Sequence, residues 1–180
     1  MTSENLADPA PLGLLGFGIT TILLSIHNLG LFGLDSTIIA AAVLMGGVAQ
    51  LIAGTIEFKR NSMFTATVFT FFGLFWITFA AIETGIFGSA DVNTLATLFL
   101  LFLILSAVLF IGTLRGPFTL KLTFLSLVVM MLALTLNAYS GYEFLKLIGG
   151  AMGVITGAGA FYMASADILN EQYKRPVLPQ

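Results

Sequence analysis

Residues 94–113 read TLATLFLLFLILSAVLFIGT, and this stretch decides the fold. It runs for 20 residues without an Asp, Glu, Lys or Arg. A helix that crosses the hydrocarbon core of a bilayer needs about 20 mainly apolar residues. The stretch therefore predicts a transmembrane helix.

The rest of the chain has the same apolar character. The 180 residues are 58% hydrophobic and 9% charged, whereas an average soluble domain has about 25% charged residues. A soluble domain of this size has too little interior to hide so much apolar surface from water. The apolar runs are also about twice as long as the roughly 10-residue alternating strands of a membrane β-barrel. We therefore expect an all-α integral membrane protein.

Six apolar runs are separated by short segments rich in charged residues, Gly, Pro or Asn. They predict transmembrane helices at 11–33, 38–57, 63–86, 94–113, 118–139 and 146–166. Residues 11–166 are expected to form one transmembrane domain, with an N-terminal tail at 1–10 and a C-terminal tail at 167–180.

Positive charges are unequally divided between the two sides of this predicted bundle. With six helices, Lys146 alone falls on one side, and the other side receives Lys59, Arg60, Arg115, Lys121, Lys174 and Arg175. Cytoplasmic loops carry an excess of Lys and Arg. Both termini are therefore expected to be cytoplasmic, in a multi-pass protein of the inner membrane. The first ten residues contain no Lys or Arg, so we expect no cleaved signal peptide.

Several function classes lack the residues that they need. The chain has no cysteine and one histidine, which excludes thiolate and multi-histidine metal sites. It has no basic patch for nucleic acid and no H-E-x-x-H, G-x-S-x-G or G-x-x-x-x-G-K-[ST] motif. We expect no enzyme activity, cofactor, metal or nucleic-acid partner. The neutral donors and acceptors within the apolar runs favour passage of a small polar or anionic solute.

One face of the first predicted helix combines aromatic and polar side chains. Spacings of three, four and seven align Phe17, Thr20, Thr21, Leu24, His27 and Asn28. Polar groups at membrane depth are costly and frequently functional, which favours a pathway lining. The alternative for the threonines is hydrogen bonding to their own helix carbonyls, and for His27 it is a structural role.

The second predicted helix places Gly47, Gln50, Gly54 and Glu57 at spacings of three, four and three. Two interpretations stay open for Gln50 and Glu57. In the first, Gln50 lines the pathway and Glu57 takes part in proton coupling. In the second, Gln50 forms an interhelical hydrogen bond and Glu57 marks a helix end near the lipid headgroups. Phe69, Phe72 and Trp76 form a stripe on the third helix.

The sixth predicted helix carries a repeated small-residue motif. Gly149, Gly153 and Gly157 are four residues apart and Ala160 follows them, which makes two overlapping GxxxG motifs. This pattern predicts close helix packing, within one subunit or between subunits.

Several motifs together identify a family. Residues 8–14, DPAPLGL, resemble the N-P-A-P-L-G-L signature of the acetate uptake transporter family, also called the GPR1/FUN34/YaaH family. The likeness continues through GFGITTILLSIHNLG at 16–30, GG-x-x-Q-x-x-AG-x-x-E at 46–57, GTLRG at 112–116 and LNEQ at 169–172. It covers nearly the whole chain and is strongest toward the succinate–acetate permeases of bacteria and archaea.

The resemblance implies six transmembrane helices with both termini inside and a homohexamer with one pathway in each protomer. It implies passage of acetate and, in some members, of succinate or other short carboxylates. The family's narrow point, formed by a phenylalanine, a tyrosine and a leucine, falls on Phe17, Phe72 and Leu127. Phe72 departs from the family by lacking a hydroxyl, and Asp8 departs by adding a negative charge to the signature.

A constriction of Phe17, Phe72 and Leu127 is expected to be dry, so a carboxylate must lose water there. Donors beside it would come from Thr20, Thr21, His27 and Asn28, and Leu127 and Ala160 are expected to set size selectivity. A channel and a proton symporter both fit, with His27 and Glu57 as the candidates for proton coupling. The alternatives are a channel for a small neutral solute such as urea or ammonia, and a membrane sensor or scaffold without flux.

Overall fold

The computed structural model describes residues 6–179, and all regular structure in that range is helical. The six helices are α1 (Ala10–Asn28), α2 (Ser36–Lys59), α3 (Met63–Glu83), α4 (Val92–Thr113), α5 (Phe118–Ser140) and α6 (Glu143–Tyr173). Within this described part, each of the six is long and apolar enough to cross a membrane. The prediction of an all-α protein with six spans is confirmed. The predicted tail at 1–10 lies partly outside the described residues.

Two of the predicted helix boundaries are wrong by several residues. The first helix ends at Asn28 and not near residue 33, because Gly30 adopts a positive φ of 78° and Asp35 then caps α2. The Asp35 carboxylate accepts hydrogen bonds from the backbone N–H groups of Thr37 and Ile38, at 2.9 and 3.2 Å.

The sixth helix extends to Tyr173 and not to residue 166, so the first seven residues of the predicted C-terminal tail are helical. At about 1.5 Å per residue its 31 residues are longer than a hydrocarbon core of about 30 Å. The end of α6 therefore projects from the apolar part of the bundle. Residues 177–179 fold back along this extension, where Asn170 accepts from the N–H of Val177 and Leu178 and donates to the Leu178 carbonyl.

The middle of α2 is a wide π-helical segment, Ala42–Ala49. Its Gly46 and Gly47 lie against α3, and a Cβ on Gly46 would come within 2.6 Å of Trp76. Segments of this kind interrupt the normal helical register and are frequent at functional sites. Here the glycine leaves room for the Trp76 indole between α2 and the centre of the bundle.

The helices surround a central axis. Contacts run from α3 to α2, α1, α6, α5 and α4 in that order, and the backbones of α3 and α4 make few contacts. Aromatic side chains fill that last gap: Phe75 of α3 lies 4.8 Å from Phe102 and 6.2 Å from Phe99 of α4, between ring centroids. The ring of helices is therefore closed by side chains.

The glycines of α6 form its contact with α1 inside this one chain. A Cβ on Gly157 would lie 2.7 Å from the Gly18 carbonyl oxygen, and a Cβ on Gly153 would overlap Ser25. Gly149 lies instead against Leu134 of α5. The predicted close packing is present, and it joins helices within the subunit. On either side of Phe17, Gly16 lies against α2 and Gly18 lies against α6, so α1 packs closely against both helices at this level.

Candidate functional site

Three apolar side chains meet at the axis. Phe17 of α1, Phe72 of α3 and Leu127 of α5 are all buried, with 8%, 3% and 2% of their surfaces exposed. The Phe17 and Phe72 rings meet edge to face, with centroids 5.6 Å apart and planes at 73°. We call these three residues the neck.

Two cavities meet at the neck. The large cavity has a volume of about 310 Å³ and lies toward the C-terminal end of α1. The small cavity, of about 30 Å³, lies toward the N-terminal end of α1. Phe17, Phe72 and Leu127 line both cavities, and no other residue does so in the described part of the chain. The neck therefore separates two spaces that lie along one axis.

The helical period explains how the cavity walls are built. The helices α1, α3 and α5 run in the same direction, and each contributes one neck residue. Four residues further along each helix lie Thr21, Trp76 and Met131, and seven residues further lie Leu24, Phe79 and Leu134; all six line the large cavity. Three residues before the neck lie Leu14, Phe69 and Phe124, which line the small cavity. The pathway is thus lined by one row of side chains from each of α1, α3 and α5, and the three neck residues lie at the same height along these rows.

Two buried donors in the large cavity have no partner. The Thr21 hydroxyl and the Trp76 indole N–H make no hydrogen bond to any residue in 6–179. An unsatisfied buried donor costs about 1–3 kcal/mol, so a ligand that accepts hydrogen bonds would be stabilised there. Both residues stand one helical turn from the neck. The sequence predicted a pathway role for Thr21, whereas it indicated Trp76 only as part of an aromatic stripe.

The mouth of the large cavity is polar and charged. Its lining includes His27, Asn28, Glu83, Asn137 and Lys146. The His27 Nδ1 lies 3.0 Å from the Phe32 carbonyl oxygen; since a carbonyl only accepts, Nδ1 carries a proton and the ring orientation is fixed. Lys146 is half-buried. In the sequence, Lys146 contributed only to the count of positive charges on each side of the bundle. It is the one Lys or Arg predicted on that side, and this could have indicated that it lines the cavity.

The small cavity is almost wholly apolar. Among residues 6–179, Gln50 and Thr123 are its only lining residues with a side-chain nitrogen or oxygen. Gln50 Nε2 donates to the Gly46 carbonyl, and the Thr123 hydroxyl donates to the Thr119 carbonyl at 2.8 Å. Gln50 Oε1 is buried and has no partner among residues 6–179. Ala160 also lines this cavity, as a small residue beside the neck.

Thr20 is not brought to the pathway. It is fully buried, lines neither cavity, and its hydroxyl donates to the carbonyls of Gly16 and Ala41, at 2.8 and 3.3 Å. The alternative of hydrogen bonding to helix carbonyls is the one that the structure shows. The reason is that Thr20 faces α2 while its neighbour Thr21 faces the axis.

Glu57 also lies outside both cavities. It is buried at the end of α2, and its carboxylate is 3.9 Å from the Arg60 guanidinium. The same Arg60 contacts Asp8 at 2.6 Å. The additional charge of Asp8 is therefore paired, and it connects the segment before α1 to the end of α2.

Comparisons with known proteins agree with this architecture. The model of the GPR1/FUN34/yaaH family matches residues 1–180. The chain is 40% identical over 183 residues to the succinate-acetate/proton symporter SatP of Escherichia coli K12, covering 99% of this chain and 97% of that protein. It is 33% identical over 177 residues to the ammonia transport outward protein 2 of Saccharomyces cerevisiae, covering 92% of this chain and 63% of the yeast protein.

A solved structure, that of the bacterial acetate channel SatP, is also similar. It superposes with a TM-score of 0.92 at 41% sequence identity, over 97% of this chain and 99% of that one. The six-helix arrangement is therefore shared with a protein described as an acetate channel.

Proposed function

The chain belongs to the GPR1/FUN34/yaaH family, and on this premise we propose that it carries acetate across the inner membrane, with succinate as a second substrate. The observation that carries the proposal is the pair of cavities on one axis, separated only by the neck. This arrangement gives a single chain its own transmembrane pathway. The proposal is transport, without a catalytic step, which fits the names of its relatives.

Acetate matches the chemistry on the large-cavity side of the neck. Its carboxylate can accept hydrogen bonds from the Thr21 hydroxyl and the Trp76 indole N–H, which are otherwise unpartnered. Hydrogen bonds to a charged group are each worth about 1.5–3 kcal/mol. Its methyl group would then lie toward the aromatic and aliphatic side chains of the neck.

The mouth of the large cavity would collect anions. Lys146 is the one Lys or Arg that lines it, among the residues that the structure describes. Charge in a cleft with apolar walls raises the local concentration of the opposite charge. Asn28 and His27 continue the polar lining from the mouth toward Leu24 and Thr21.

Succinate has room in the large cavity but carries two carboxylates. Because each charge must lose water at the apolar neck, we propose that succinate passes more slowly than acetate.

The orientation and assembly are proposals as well. The distribution of Lys and Arg supports cytoplasmic termini, so the large cavity would open to the outside. The homohexamer is supported by the family resemblance, and native mass spectrometry of the protein released from detergent would test it. A mass other than six chains would contradict it.

The decisive experiment is uptake of ¹⁴C-acetate by proteoliposomes that contain the purified protein. We expect uptake above that of protein-free vesicles, with competition by unlabelled succinate and not by urea. Uptake equal to that of protein-free vesicles would contradict the proposal and favour a sensor or scaffold. Protein-dependent flux of labelled urea or of ammonia in place of acetate would favour a neutral-solute channel.

A further inference from the structure

The large cavity combines a cationic mouth with an aromatic wall, and we infer from this that it is also a binding site for medium-chain monocarboxylates such as octanoate. The carboxylate lies at Lys146 and the alkyl chain points toward the neck. An acid held in this way is too large to pass the neck, so it blocks the entry of acetate. The block rests on the proposed function, whereas the binding itself does not depend on transport.

The large cavity is larger than acetate needs. Its volume of about 310 Å³ lies at the lower end of the range of about 300–1,000 Å³ in which proteins enclose drug-sized ligands. Such sites are mainly apolar and have a few polar groups that orient the ligand. Most of the residues that line this cavity have hydrocarbon or aromatic side chains. The cavity is therefore built like the site of a larger, amphiphilic molecule.

One side of the cavity is a continuous aromatic wall. Trp76 meets Phe75 and Phe79 edge to face, with ring centroids 5.8 and 5.9 Å apart, and Phe75 lies 6.2 Å from Phe99 of α4. All four residues line the cavity, and Leu95, one turn before Phe99 on α4, extends the wall toward the mouth. We call these five residues the aromatic wall. An alkyl chain gains free energy when it leaves water for such a surface, whereas acetate has a single methyl group to place there.

The mouth supplies the charge that a carboxylate needs. Lys146 lines it and is half-buried, and its ammonium group forms no ion pair with any residue in 6–179. The other titratable groups that line the cavity are Glu83, which is exposed, and His27, whose Nδ1 is bonded to the Phe32 carbonyl. A partly buried charge is screened much less than an exposed one. Lys146 is therefore the group that decides the sign of the ligand.

Polarity falls from the mouth to the neck, and this gradient orients the ligand. On α5, Asn137 lies at the mouth, and the lining residues between it and Leu127 of the neck are apolar. Asn137 lies ten residues after Leu127, a rise of about 15 Å at about 1.5 Å per residue. An extended alkyl chain of several carbons fits this length. Beyond the neck the small cavity holds only about 30 Å³, so the chain stops there.

The first experiment measures inhibition of ¹⁴C-acetate uptake into proteoliposomes by straight-chain acids of increasing length, with correction for protein-free vesicles. We expect competitive inhibition, in which the KM for acetate rises and the maximal rate is unchanged. Each methylene added between butyrate and octanoate should lower the inhibition constant about fourfold, the value of burying one methylene group. Dodecanoate should bind no more tightly than octanoate, because the cavity ends at the neck, whereas partition into the bilayer continues to increase with chain length.

The second experiment measures binding without transport. Trp76 is the one tryptophan in the chain and belongs to the aromatic wall, so the intrinsic fluorescence of the protein in lipid nanodiscs reports occupancy of the cavity. Octanoate should change this fluorescence saturably, with the same dependence on chain length as the inhibition of uptake. The alcohol 1-octanol has the same chain without the charge, and it should bind at least tenfold more weakly.

Variants separate the contribution of the charge from that of the wall. Lys146→Met removes the cation, so it should weaken octanoate binding about tenfold, the value of one hydrogen bond to a charged group, and leave 1-octanol binding unchanged. Leu95→Ala shortens the wall and should weaken octanoate binding at least threefold. Leu101→Ala is its matched control, because Leu101 lies on the same helix, is 58% exposed and lines neither cavity. If a variant fails to fold, the chain-length series on the wild type decides.

An affinity that continues to rise from octanoate to dodecanoate would overturn the inference, because it indicates partition into lipid. Equal binding of octanoate and 1-octanol, or of octanoate to the wild type and a folded Lys146→Met, would do the same. Acetate uptake that octanoate does not inhibit would also contradict the inference and leave the proposed transport intact. Saturable octanoate binding without any protein-dependent acetate uptake would instead support the binding site and contradict the proposed function.

Discussion

The two cavities share three wall residues and one axis, yet they present different chemistry to a solute. The large one offers unpartnered donors at Thr21 and Trp76, and a charged mouth. The small one has Gln50 and Thr123 in an otherwise apolar wall, and each of these side chains donates a hydrogen bond to a carbonyl of its own helix. The helices α1, α3 and α5 line both cavities, so the contrast comes from which polar side chains those helices and their neighbours present, and from which of them already donate to the backbone. The two sides of one pathway can therefore differ in how they hold a carboxylate.

We expect the largest effect from a substitution that opens the neck and joins the large cavity to the small one. Leu127→Ala removes one wall of the neck, and we expect water and anions to pass from one cavity to the other. The ratio of succinate to acetate uptake should rise at least tenfold, at a stability cost of about 2–5 kcal/mol. Uptake of both labelled acids by proteoliposomes measures the ratio, and a thermal melt in detergent measures the cost.

Leu125→Ala is the matched control, since Leu125 lies two residues away on α5 and 46% of it is exposed. It should leave the uptake ratio unchanged. An unchanged ratio in Leu127→Ala as well would remove Leu127 from the neck. A bulky residue at Ala160, in the small cavity, should act in the opposite direction and exclude succinate.

The donor side can be tested with two adjacent threonines. Thr21→Val removes an unpartnered hydroxyl from the large cavity, so acetate uptake at low concentration should fall about tenfold, the value of one hydrogen bond to a charged group. Thr20→Val removes a hydroxyl that is already bonded to Gly16 and Ala41. It should leave uptake within twofold of the wild type. Concentration-dependent ¹⁴C-acetate uptake measures both, and equal losses in the two variants would contradict the assignment.

The charge at the mouth should have a smaller effect that depends on salt. Lys146→Gln removes the cation that lines the large cavity, and we expect acetate uptake at low ionic strength to fall about threefold. At 1 M salt the Debye length is about 3 Å, so the difference should disappear. Lys174→Gln is the control, because Lys174 directly follows the C-terminal end of α6, whereas Lys146 lies near its N-terminal end. It should have no effect on entry from the large-cavity side. A loss in Lys146→Gln that persists at 1 M salt would indicate a direct contact with substrate.

The smallest expected effect concerns the loop beside the large cavity. The Thr94 backbone N–H and hydroxyl lower the pKa of Asp91, which caps α4 one turn before Leu95 of the cavity wall. Because the folded pKa is the lower one, the cap stabilises the protein above the pKa of a free Asp, about 3.9, and this contribution is lost as the pH falls through the folded pKa. Asp91→Ala should therefore lower the melting temperature at pH 7 and converge with the wild type in acid. A difference that is constant from pH 7 to pH 3 would show that the carboxylate charge is not involved.

Much of the candidate site could be predicted from helical spacing in the sequence. The face of α1 that includes Phe17, Thr21, Leu24, His27 and Asn28 was readable from spacings of three, four and seven, and all five line the large cavity. The same arithmetic applied to Phe72 leads to Trp76, four residues on, and to Phe79, seven residues on. The sequence therefore already indicated that Trp76 lines the pathway, because it lies one helical turn after the neck residue Phe72.

The threonines show where that arithmetic stops. A face of a helix is about as wide as two neighbouring residues, so spacing could not separate Thr20 from Thr21. The difference depends on α2 lying against one side of α1, which places the Ala41 carbonyl beside Thr20. Glu57 was placed near a helix end by its sequence position, but its pairing with Arg60 and the link from Arg60 to Asp8 needed the tertiary structure.

The sequence by itself determined that this protein lies in a membrane, how many helices it has, and whether each helix face is apolar or polar. Those properties follow from composition and from the 3.6-residue period, which are local. Only the tertiary structure decided that Gln50 keeps an acceptor free, that Trp76 and Thr21 keep donors free, and that Thr20 keeps none. Whether a polar group is satisfied depends on what the neighbouring helix places within hydrogen-bonding distance, and that distance is a property of the packed bundle.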